Sequence, residues 1–388
     1  MKRIFTNCQL ILSKEVLPHG AIVIDDQGKI VFSGWESKMP EIEGEKMDLE
    51  GRLVSPGFID IHVHGGNGIT FGEGDLAEGL VDYSKWVPSS GVTGFLTSIT
   101  GSSPEELVEK IQVLVVEFEK GLPGARGLGI HLEGPFMNIE KKGAQNPDWI
   151  RNPSLEETEM YLSAGKGWIK QVTIAPELPG AEKVAARFSE AGVTVAIGHS
   201  TADYETAVKA MDSYWTLVTH TYNAQTGFHH REPGIVGAVL TSENVTAELI
   251  ADLVHVHPGA MKALVRCVGS DRVVLVTDAM EAAGLPDGVY HLLGAKVIVK
   301  GGKATQEDGT IASSTALVNQ CVRNMNQAVG VKLEDAVKMA SINPTRVIGV
   351  SELLGSLEIG KQADLTVVDE DLNVYMTMVN GEIVYSRL

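Results

Sequence analysis

Apolar and polar residues follow two different rhythms along the chain. Between residues 4 and 53, short runs that alternate apolar and polar positions are separated by turn signals, which predicts β-strands. From Phe58 onward, short apolar runs alternate with segments whose apolar residues recur every three to four positions, which predicts strands followed by helices. One such helix is predicted at Glu105–Glu119, after the start signal Ser102-Ser103-Pro104.

The second region contains eight predicted strands: Phe58–Val63, Thr93–Ile99, Arg126–Leu132, Ile169–Ile174, Val193–Ile197, Leu217–Thr219, Val245–Ile250 and Val273–Val276. Strands that alternate with helices indicate parallel βαβ units, and eight units indicate a closed (β/α)8 barrel of the TIM type. The alternative is an open doubly wound sheet, which is disfavoured because no GxGxxG motif follows the first strand. The predicted fold class is therefore α/β.

Strand patterns return at the end of the chain. Val374–Val379 and Ile383–Tyr385 flank Asn380-Gly381, a strong signal for a two-residue hairpin turn. Strands at both chain ends are expected to pair into one small β-sandwich domain. We predict this domain at residues 1–54 and 345–388 and the barrel at 55–344, with a β-hairpin insertion near 288–311.

Composition limits the class of protein. Of the 388 residues, 44% are apolar and 21% are charged, which is ordinary for a soluble globular protein. The net charge of −18 argues against nucleic-acid or anionic-membrane partners, and no run reaches the roughly 18 apolar residues of a membrane span. Cys8, Cys267 and Cys321 are far apart, which favours a reducing cytoplasm and argues against cysteine-bound zinc. The N-terminus is a poor signal peptide, so a cytoplasmic location is expected.

Residues that can bind metal lie at the carboxyl ends of five of the predicted barrel strands: His62, His64, Glu133, His199, His220 and Asp278. Each has an ordinary explanation when taken alone, such as a hydrogen-bonded histidine or an aspartate that caps a helix. Together they lie at the carboxyl ends of the strands, where barrel enzymes build their sites. Four imidazoles and two carboxylates suit zinc, iron, cobalt or manganese better than calcium or magnesium. His131, two residues before Glu133, is interpreted as a core residue or a support for a ligand.

This arrangement resembles the metal-dependent amidohydrolase superfamily. The segments HLEGPF, KKGAQNP, IGHS, THTYNA, REPGIVGA, LVTDAM and LGSLEIGKQADLTVVD narrow the resemblance to the N-acetylglucosamine-6-phosphate deacetylase family, over about residues 4–388. The resemblance implies metal-dependent hydrolysis of the N-acetyl amide of N-acetylglucosamine 6-phosphate. The alternatives are another N-acetylhexosamine phosphate, such as N-acetylgalactosamine 6-phosphate, a cyclic amide, or a non-catalytic scaffold that kept the barrel.

The resemblance also implies roles for the metal-competent residues. Glu133, His199 and His220 correspond to the ligands of one divalent ion, and Asp278 to the catalytic acid–base residue. Some members lack the first histidine pair and hold one metal. Because this chain keeps His62 and His64, it is similar to members with two ions per subunit, with Glu133 as the bridge. The fourth strand ends without a lysine, which excludes subfamilies that bridge with a carboxylated lysine.

A sugar-phosphate site is implied at Ala144, Gln145, Asn223, Ala224, Arg231, His255, Ile311, Ala312 and Ser313. The phosphate is assigned to Arg231, whose guanidinium can bind it through two hydrogen bonds, to His255, and to the backbone amides of Asn223 and Ala224. In the family such contacts can come from a neighbouring subunit, which implies a homodimer. Two departures leave the hexosamine open: Gln145 replaces a histidine found in some members, and Ser313 replaces a glycine of close relatives.

Overall fold

The N-terminal segment begins a sheet to which both chain ends contribute. The computed structural model describes residues 1–72, 74–292 and 294–388. Its first strands are β1 (Arg3–Ile11), β2 (Val16–Ile24), β3 (Ile30–Trp35), β4 (Glu45–Asp48) and β5 (Leu53–Pro56). Strand β2 lies antiparallel between β1 and β3, whereas β4 and β5 run parallel to β1.

Strands and helices then alternate through the predicted barrel. In chain order they are β6 (Phe58–Asp60), the short pair β7 (Gly65–Gly66) and β8 (Ile69–Thr70), α1 (Leu76–Trp86), β9 (Val92–Thr100), α2 (Pro104–Lys120), β10 (Arg126–Glu133), α3 (Leu155–Gly165), β11 (Ile169–Ile174), α4 (Ala181–Glu190), β12 (Thr194–Ile197), α5 (Tyr204–Met211), β13 (Trp215–Val218), α6 (Gly234–Thr241), β14 (Thr246–Ile250), α7 (Pro258–Val268) and β15 (Val273–Val276). Short 3₁₀ helices lie at Glu36–Lys38, Val87–Ser90, Ile139–Lys141, Pro147–Trp149 and Ser270–Arg272.

The eight parallel strands pair in chain order from β6 and β9 through to β15. The Asp278 amide donates to the His62 carbonyl at 2.8 Å, and the His64 amide donates to the Ala279 carbonyl at 2.9 Å. These bonds join the segments after β6 and β15 and bring the two edges of the sheet together. The predicted (β/α)8 barrel is confirmed. Its first strand is shorter than predicted: the regular ladder with β9 ends at Asp60, and of the residues that follow, Val63 still accepts from the Ser98 amide, whereas His62 and His64 bond to the segment after β15.

Helix α2 shows how local sequence produces these elements. Pro104 occupies its first turn, and the Ser103 hydroxyl accepts a hydrogen bond from the Glu106 amide. Its buried residues recur at helical spacing and cover the outside of the barrel: Leu107, Ile111, Leu114, Val115 and Phe118. Among the described residues, no helix combines the length and the apolar character needed to cross a bilayer.

After β15 the chain forms a separate antiparallel sheet. It contains β16 (Gly288–Leu292), β17 (Ala295–Lys300), β18 (Lys303–Thr305) and β19 (Ile311–Ser313). The predicted hairpin near 288–311 is therefore extended to four strands, because Gly301 and Gly302 turn the chain with positive φ angles of 60° and 76°. Then follow α8 (Val318–Asn324), a π-helical turn (Met325–Val329), α9 (Leu333–Met339) and α10 (Ile342–Val347).

The C-terminal strands β20 (Leu365–Val368), β21 (Val374–Val379) and β22 (Glu382–Ser386) complete the first sheet. Its order is β22-β21-β20-β5-β1-β2-β3, with β4 against β1, which confirms a β-sandwich-like domain built from both chain ends. The predicted Asn380-Gly381 turn is present, with φ angles of 53° and 77°. The exact boundaries at residues 54 and 345 stay a prediction, since β5 spans residues on both sides of the first boundary.

The amino end of the barrel is closed by α10 and the residues that follow it. The hydroxyl of Thr194, the first residue of β12, donates a hydrogen bond to the Val347 carbonyl at 2.6 Å. The side-chain amide of Asn343 donates to the carbonyl of Val273, the first residue of β15, at 2.7 Å. An apolar cluster fills this part of the interior: Ile59, Leu96, Ala196, Leu217, Val274 and Ile348. The polar side chains described below lie at the opposite, carboxyl end of the barrel.

Candidate active site and metal centre

The six predicted ligands lie just where the barrel strands end. Glu133 is the last residue of β10, and His199, His220 and Asp278 each follow the end of their strand by two residues. These last three have left-handed backbones, with φ angles of 48°, 28° and 49°. Such angles are uncommon for residues other than glycine and cost on the order of 1–3 kcal/mol each. Strained backbone at three ligand positions is typical of a functional site.

One group of ligands consists of Glu133, His199 and His220. Glu133 Oε1 lies 3.1 Å from His199 Nε2 and 3.2 Å from His220 Nε2, and the two imidazole nitrogens are 3.1 Å apart. Two nitrogens bound to one tetrahedral zinc at about 2.0–2.1 Å would be roughly 3.4 Å apart. All three residues are buried, and their spacing fits one metal ion.

A second group consists of His62, His64 and Asp278. The two imidazole Nε2 atoms are 3.3 Å apart, and Asp278 Oδ1 lies 3.2 Å from His64 Nε2 and 3.5 Å from His62 Nε2. Glu133 also reaches this group, with 3.3 Å from Oε1 to His62 and 3.3 Å from Oε2 to His64. The Glu133 carboxylate therefore lies within 3.3 Å of imidazole nitrogens of both groups.

Hydrogen bonds on the far side of the ring orient two of the four imidazoles. His62 Nδ1 lies 3.0 Å from Glu248 Oε2, and His199 Nδ1 lies 2.8 Å from the Lys141 carbonyl. An acceptor at Nδ1 holds the hydrogen there and leaves the Nε2 lone pair for a metal. His131 is bound on both sides, by Ser98 at 3.0 Å and Thr173 at 2.9 Å, and belongs to neither ligand group.

A cavity of about 290 Å³ opens above the ligand groups. Among the residues that line it are eight of the predicted substrate contacts: Ala144, Gln145, Asn223, Ala224, His255, Ile311, Ala312 and Ser313. Strand β19 of the four-stranded sheet supplies Ile311–Ser313, so this sheet forms one wall. The other walls come from loops that follow the barrel strands.

Comparison with known proteins identifies the family. The model of the amidohydrolase family matches residues 53–384. The chain belongs to the amidohydrolase family. Its relatives include an N-acetylgalactosamine-6-phosphate deacetylase of Escherichia coli O157:H7, 35% identical over 360 residues, covering 93% of this chain and 95% of the relative. An N-acetylglucosamine-6-phosphate deacetylase of Bacillus subtilis is 35% identical over 380 residues, covering 97% and 95%.

Solved structures agree with this assignment. The N-acetylglucosamine-6-phosphate deacetylase of Pasteurella multocida superposes on this amidohydrolase with a TM-score of 0.93, at 32% identity and 99% coverage of both chains. A mutant of the Mycobacterium smegmatis enzyme, solved with N-acetyl-D-glucosamine 6-phosphate, has a TM-score of 0.90 at 34% identity and covers 100% of this chain and 99% of its own. The resemblance drawn from the motifs is confirmed.

The charges of the amidohydrolase site are mutually compensating. Burial acts against a charged His64, but Asp278 and Glu133 outweigh it and raise the pKa of His64 to about 9. Burial also acts against an ionised Glu133, but His62 and the other site histidines hold the pKa of Glu133 well below its usual value. The carboxylates thus favour positive charge at the imidazole nitrogens, and a divalent cation can replace the protons there.

Two predicted substrate residues make contacts that the sequence did not indicate. The Gln145 amide donates to Glu133 Oε2 at 2.8 Å, so Gln145 holds the shared carboxylate as well as lining the cavity. The Ser313 hydroxyl donates to the carbonyl of Asp278. Both departures from the family pattern therefore act on metal-site residues.

Arg231 is the one predicted substrate residue that does not line the cavity. It is exposed, and its Nη1 lies 2.8 Å from Nε2 of the neighbouring His230. By contrast, Lys141 lines the cavity although we did not predict it. The two lysines before Gly143 were the available signal. Glu248 was also missed, and its signal was a carboxylate within the apolar strand Thr246–Ile250.

Proposed function

We propose that this amidohydrolase hydrolyses the N-acetyl amide of N-acetylglucosamine 6-phosphate, with glucosamine 6-phosphate and acetate as products. The observation that carries the proposal is the position of Glu133 between two ligand groups, at the base of a cavity that Asp278 also lines. The names of the relatives that cover nearly the whole chain support the same substrate class.

The donor set suits divalent transition metals, and we propose two ions per subunit, of zinc, iron, cobalt or manganese. Glu133, His199 and His220 would hold one, and His62, His64 and Asp278 the other, with Glu133 between them. When bound, such ions supply Lewis-acid activation of water and of the amide carbonyl. This chemistry matches the need, because an amide reacts very slowly with neutral water.

Asp278 is proposed to move the proton. The pKa of Asp278 is lowered, because His62 and His64 outweigh the opposing effect of burial, so the carboxylate is ionised and ready to accept a proton from the attacking water. It then returns that proton to the departing amine nitrogen. The Ser314 amide donates to the Asp278 carbonyl at 3.0 Å and fixes the backbone from which the carboxylate projects.

Gln145 is proposed to stabilise the oxyanion. Its amide nitrogen carries two hydrogens, of which Glu133 accepts one, so the other is available to the carbonyl oxygen. A fixed donor aimed at developing negative charge lowers the barrier. Unlike a histidine, this amide cannot donate a proton outright, so the acid–base work is left to Asp278.

Phosphate recognition is proposed to use both this chain and a second copy. His255 lines the cavity and is held by Asp252, whose Oδ2 lies 2.7 Å from His255 Nδ1. Lys141 also lines this cavity, and its ammonium group is proposed as a further cation for the phosphate. Arg231 is exposed and projects outside its own cavity, so we propose a homodimer in which Arg231 reaches the partner's phosphate. Binding energy from the phosphate would then position the acetamide for attack.

N-acetylgalactosamine 6-phosphate is the second candidate substrate. The relative named for that substrate is as similar to this chain, at 35% identity, as the relative named for the glucosamine epimer. The two sugars differ only in the orientation of the hydroxyl at C4. The metal chemistry is the same for both, so only the cavity wall can distinguish them.

Acetate release from purified protein tests the proposal. The panel contains both N-acetylhexosamine 6-phosphates, the same sugars without phosphate, and a cyclic imide. We expect release from a 6-phosphorylated sugar, loss after chelation and recovery on adding metal, with Asp278→Asn as the inactive control. The proposal would be contradicted if the unphosphorylated sugars were turned over as fast as their 6-phosphates, or if the imide were the one compound turned over.

A further inference from the structure

Glu248 is a charged residue inside the barrel that the proposed mechanism does not use. It lies in the middle of β14, and its side chain is completely buried. Removing a carboxylate from water costs several kcal/mol unless neighbouring groups compensate it. The structure therefore has to supply partners for this charge.

Three donors surround the Glu248 carboxylate. Oε2 lies 3.0 Å from His62 Nδ1 and accepts from the His220 amide at 3.1 Å, while Oε1 accepts from the Gln171 side chain at 2.6 Å. Its partners thus come from the first, fourth and sixth strands of the barrel or from the segments that follow them. Two of these partners are ligand residues, so the carboxylate lies directly behind the metal centre.

The contacts of Glu248 with the two ligand groups are unequal. With His62 it bonds the imidazole ring itself, whereas with His220 it bonds only the backbone amide. In the other group, the ring of His199 is held by the neutral carbonyl of Lys141. A carboxylate at Nδ1 fixes the tautomer and makes Nε2 a stronger ligand than a neutral carbonyl does. The group formed by His62, His64 and Asp278 therefore depends on Glu248 more than the other group does.

Charge balance points the same way. Two divalent ions bring four positive charges, and only Glu133 and Asp278 among the proposed ligands carry negative charge. A second ion close to the first is repelled by it, and that repulsion is strong in a buried site. Glu248 adds a third negative charge on the side of His62.

We propose that Glu248 is a positioning residue that enables the group of His62, His64 and Asp278 to hold its metal ion, so that it determines whether a subunit binds two ions or one. The inference rests on the proposed function only for the existence of two ion sites. It assigns no contact between Glu248 and substrate.

The test is a metal titration of the variant Glu248→Gln, which keeps the size of the side chain and removes its charge. An amide can also donate to His62 Nδ1, which places the ring hydrogen on Nε2, the atom that must bind metal. Apoprotein is titrated with cobalt in competition with a chromophoric chelator. We expect two ions in the unmodified protein, and in the variant one tight ion with affinity for the second lowered about 10- to 100-fold.

Asp364→Asn is the matched control. Asp364 is another buried carboxylate, but it pairs with Arg126 at 2.9 Å where the barrel meets the terminal sheet, far from the ligands in sequence and topology. The same carboxylate-to-amide change there should reduce stability and leave both ion affinities unchanged. Thermal unfolding of each apoprotein reports whether the variants fold.

A second variant keeps the test decisive if Glu248→Gln folds poorly. In the unmodified background, Glu248→Asp keeps the charge but withdraws it from His62 Nδ1, so it should weaken the second ion and leave the ion of Glu133, His199 and His220 unchanged. The proposal is overturned if the unmodified protein binds a single ion, if Glu248→Gln keeps both affinities, or if Glu248→Asp weakens the ion of Glu133, His199 and His220 as much as it weakens the second ion. Acetate release is measured separately. If the proposed function is wrong, the unmodified protein releases no acetate, and the metal titration still tests the role of Glu248.

Discussion

The two ends of the barrel differ in the polarity of their buried side chains. At the amino end, α10 and Ile348 close an apolar interior that contains Leu96 and Val274. At the carboxyl end, buried imidazoles and carboxylates crowd together, and three of the ligand residues have left-handed backbones. The apolar end gains stability from burial, whereas the polar end has an energetic cost that only function explains. Substitutions at the two ends should therefore fail in different ways.

The largest expected effect is at Glu133, which both ligand groups share. Glu133→Gln removes the carboxylate that contacts both groups, so we expect loss of tight metal binding and a fall in acetate release to the level of the chelated enzyme. Metal content and turnover are measured on the same preparation. Retention of two ions with near-normal turnover would show that the carboxylate is not shared.

Asp278→Asn should have the next largest effect. The amide cannot accept the proton of the attacking water, so we expect kcat to fall by about 10²- to 10⁴-fold. The ion held by Glu133, His199 and His220 should remain, which elemental analysis measures. Near-normal kcat in this variant would refute the acid–base role of Asp278.

Arg231→Ala should affect phosphorylated substrates selectively. Loss of a charge-assisted hydrogen bond costs about 1.5–3 kcal/mol, so kcat/KM for the 6-phosphate should fall roughly 10- to 100-fold. Turnover of the same sugar without phosphate should change little. Mixing Arg231→Ala subunits with Asp278→Asn subunits restores part of the activity if Arg231 acts on the partner's cavity. Equal losses with both sugars would remove Arg231 from the phosphate site.

The smallest effect on catalysis is expected at the amino end. Leu96 is completely buried in the apolar cluster, so Leu96→Ala should lower the free energy of unfolding by about 2–5 kcal/mol. Turnover per folded molecule should stay unchanged, because the cavity is at the opposite end. Denaturant unfolding measures the free energy of unfolding, and active-site titration gives turnover per folded molecule. A loss of kcat without a loss of stability would contradict the distinction drawn between the two ends of the barrel.

The barrel and its ligands could be predicted because both depend on short sequence patterns within each strand and the residues next to it. Each strand is a short apolar run, and each ligand lies at the end of its strand or within four residues after it, so parallel pairing brings the ligands to one end. The four-stranded sheet β16–β19 was harder to predict from the sequence. Its last two strands depend on glycine turns and on packing over Met280 and Val297. A two-stranded hairpin was the simpler interpretation.

Other parts of the site depend on contacts between distant segments. Glu248 lies in a strand whose local pattern does not say which partner its carboxylate finds, and that partner, His62, is 186 residues away. Lys141 comes to the cavity because the carbonyl of that residue binds His199, 58 residues on. Arg231 shows the reverse, since its motif predicts a phosphate contact that the chain's own cavity does not receive.

Anomalous X-ray scattering from crystals grown with cobalt tests the central claim most directly. The account predicts two anomalous peaks on either side of Glu133, one bounded by His199 and His220 and the other by His62, His64 and Asp278. Peaks elsewhere on the molecule, with none beside Glu133 in protein that releases acetate, would contradict it.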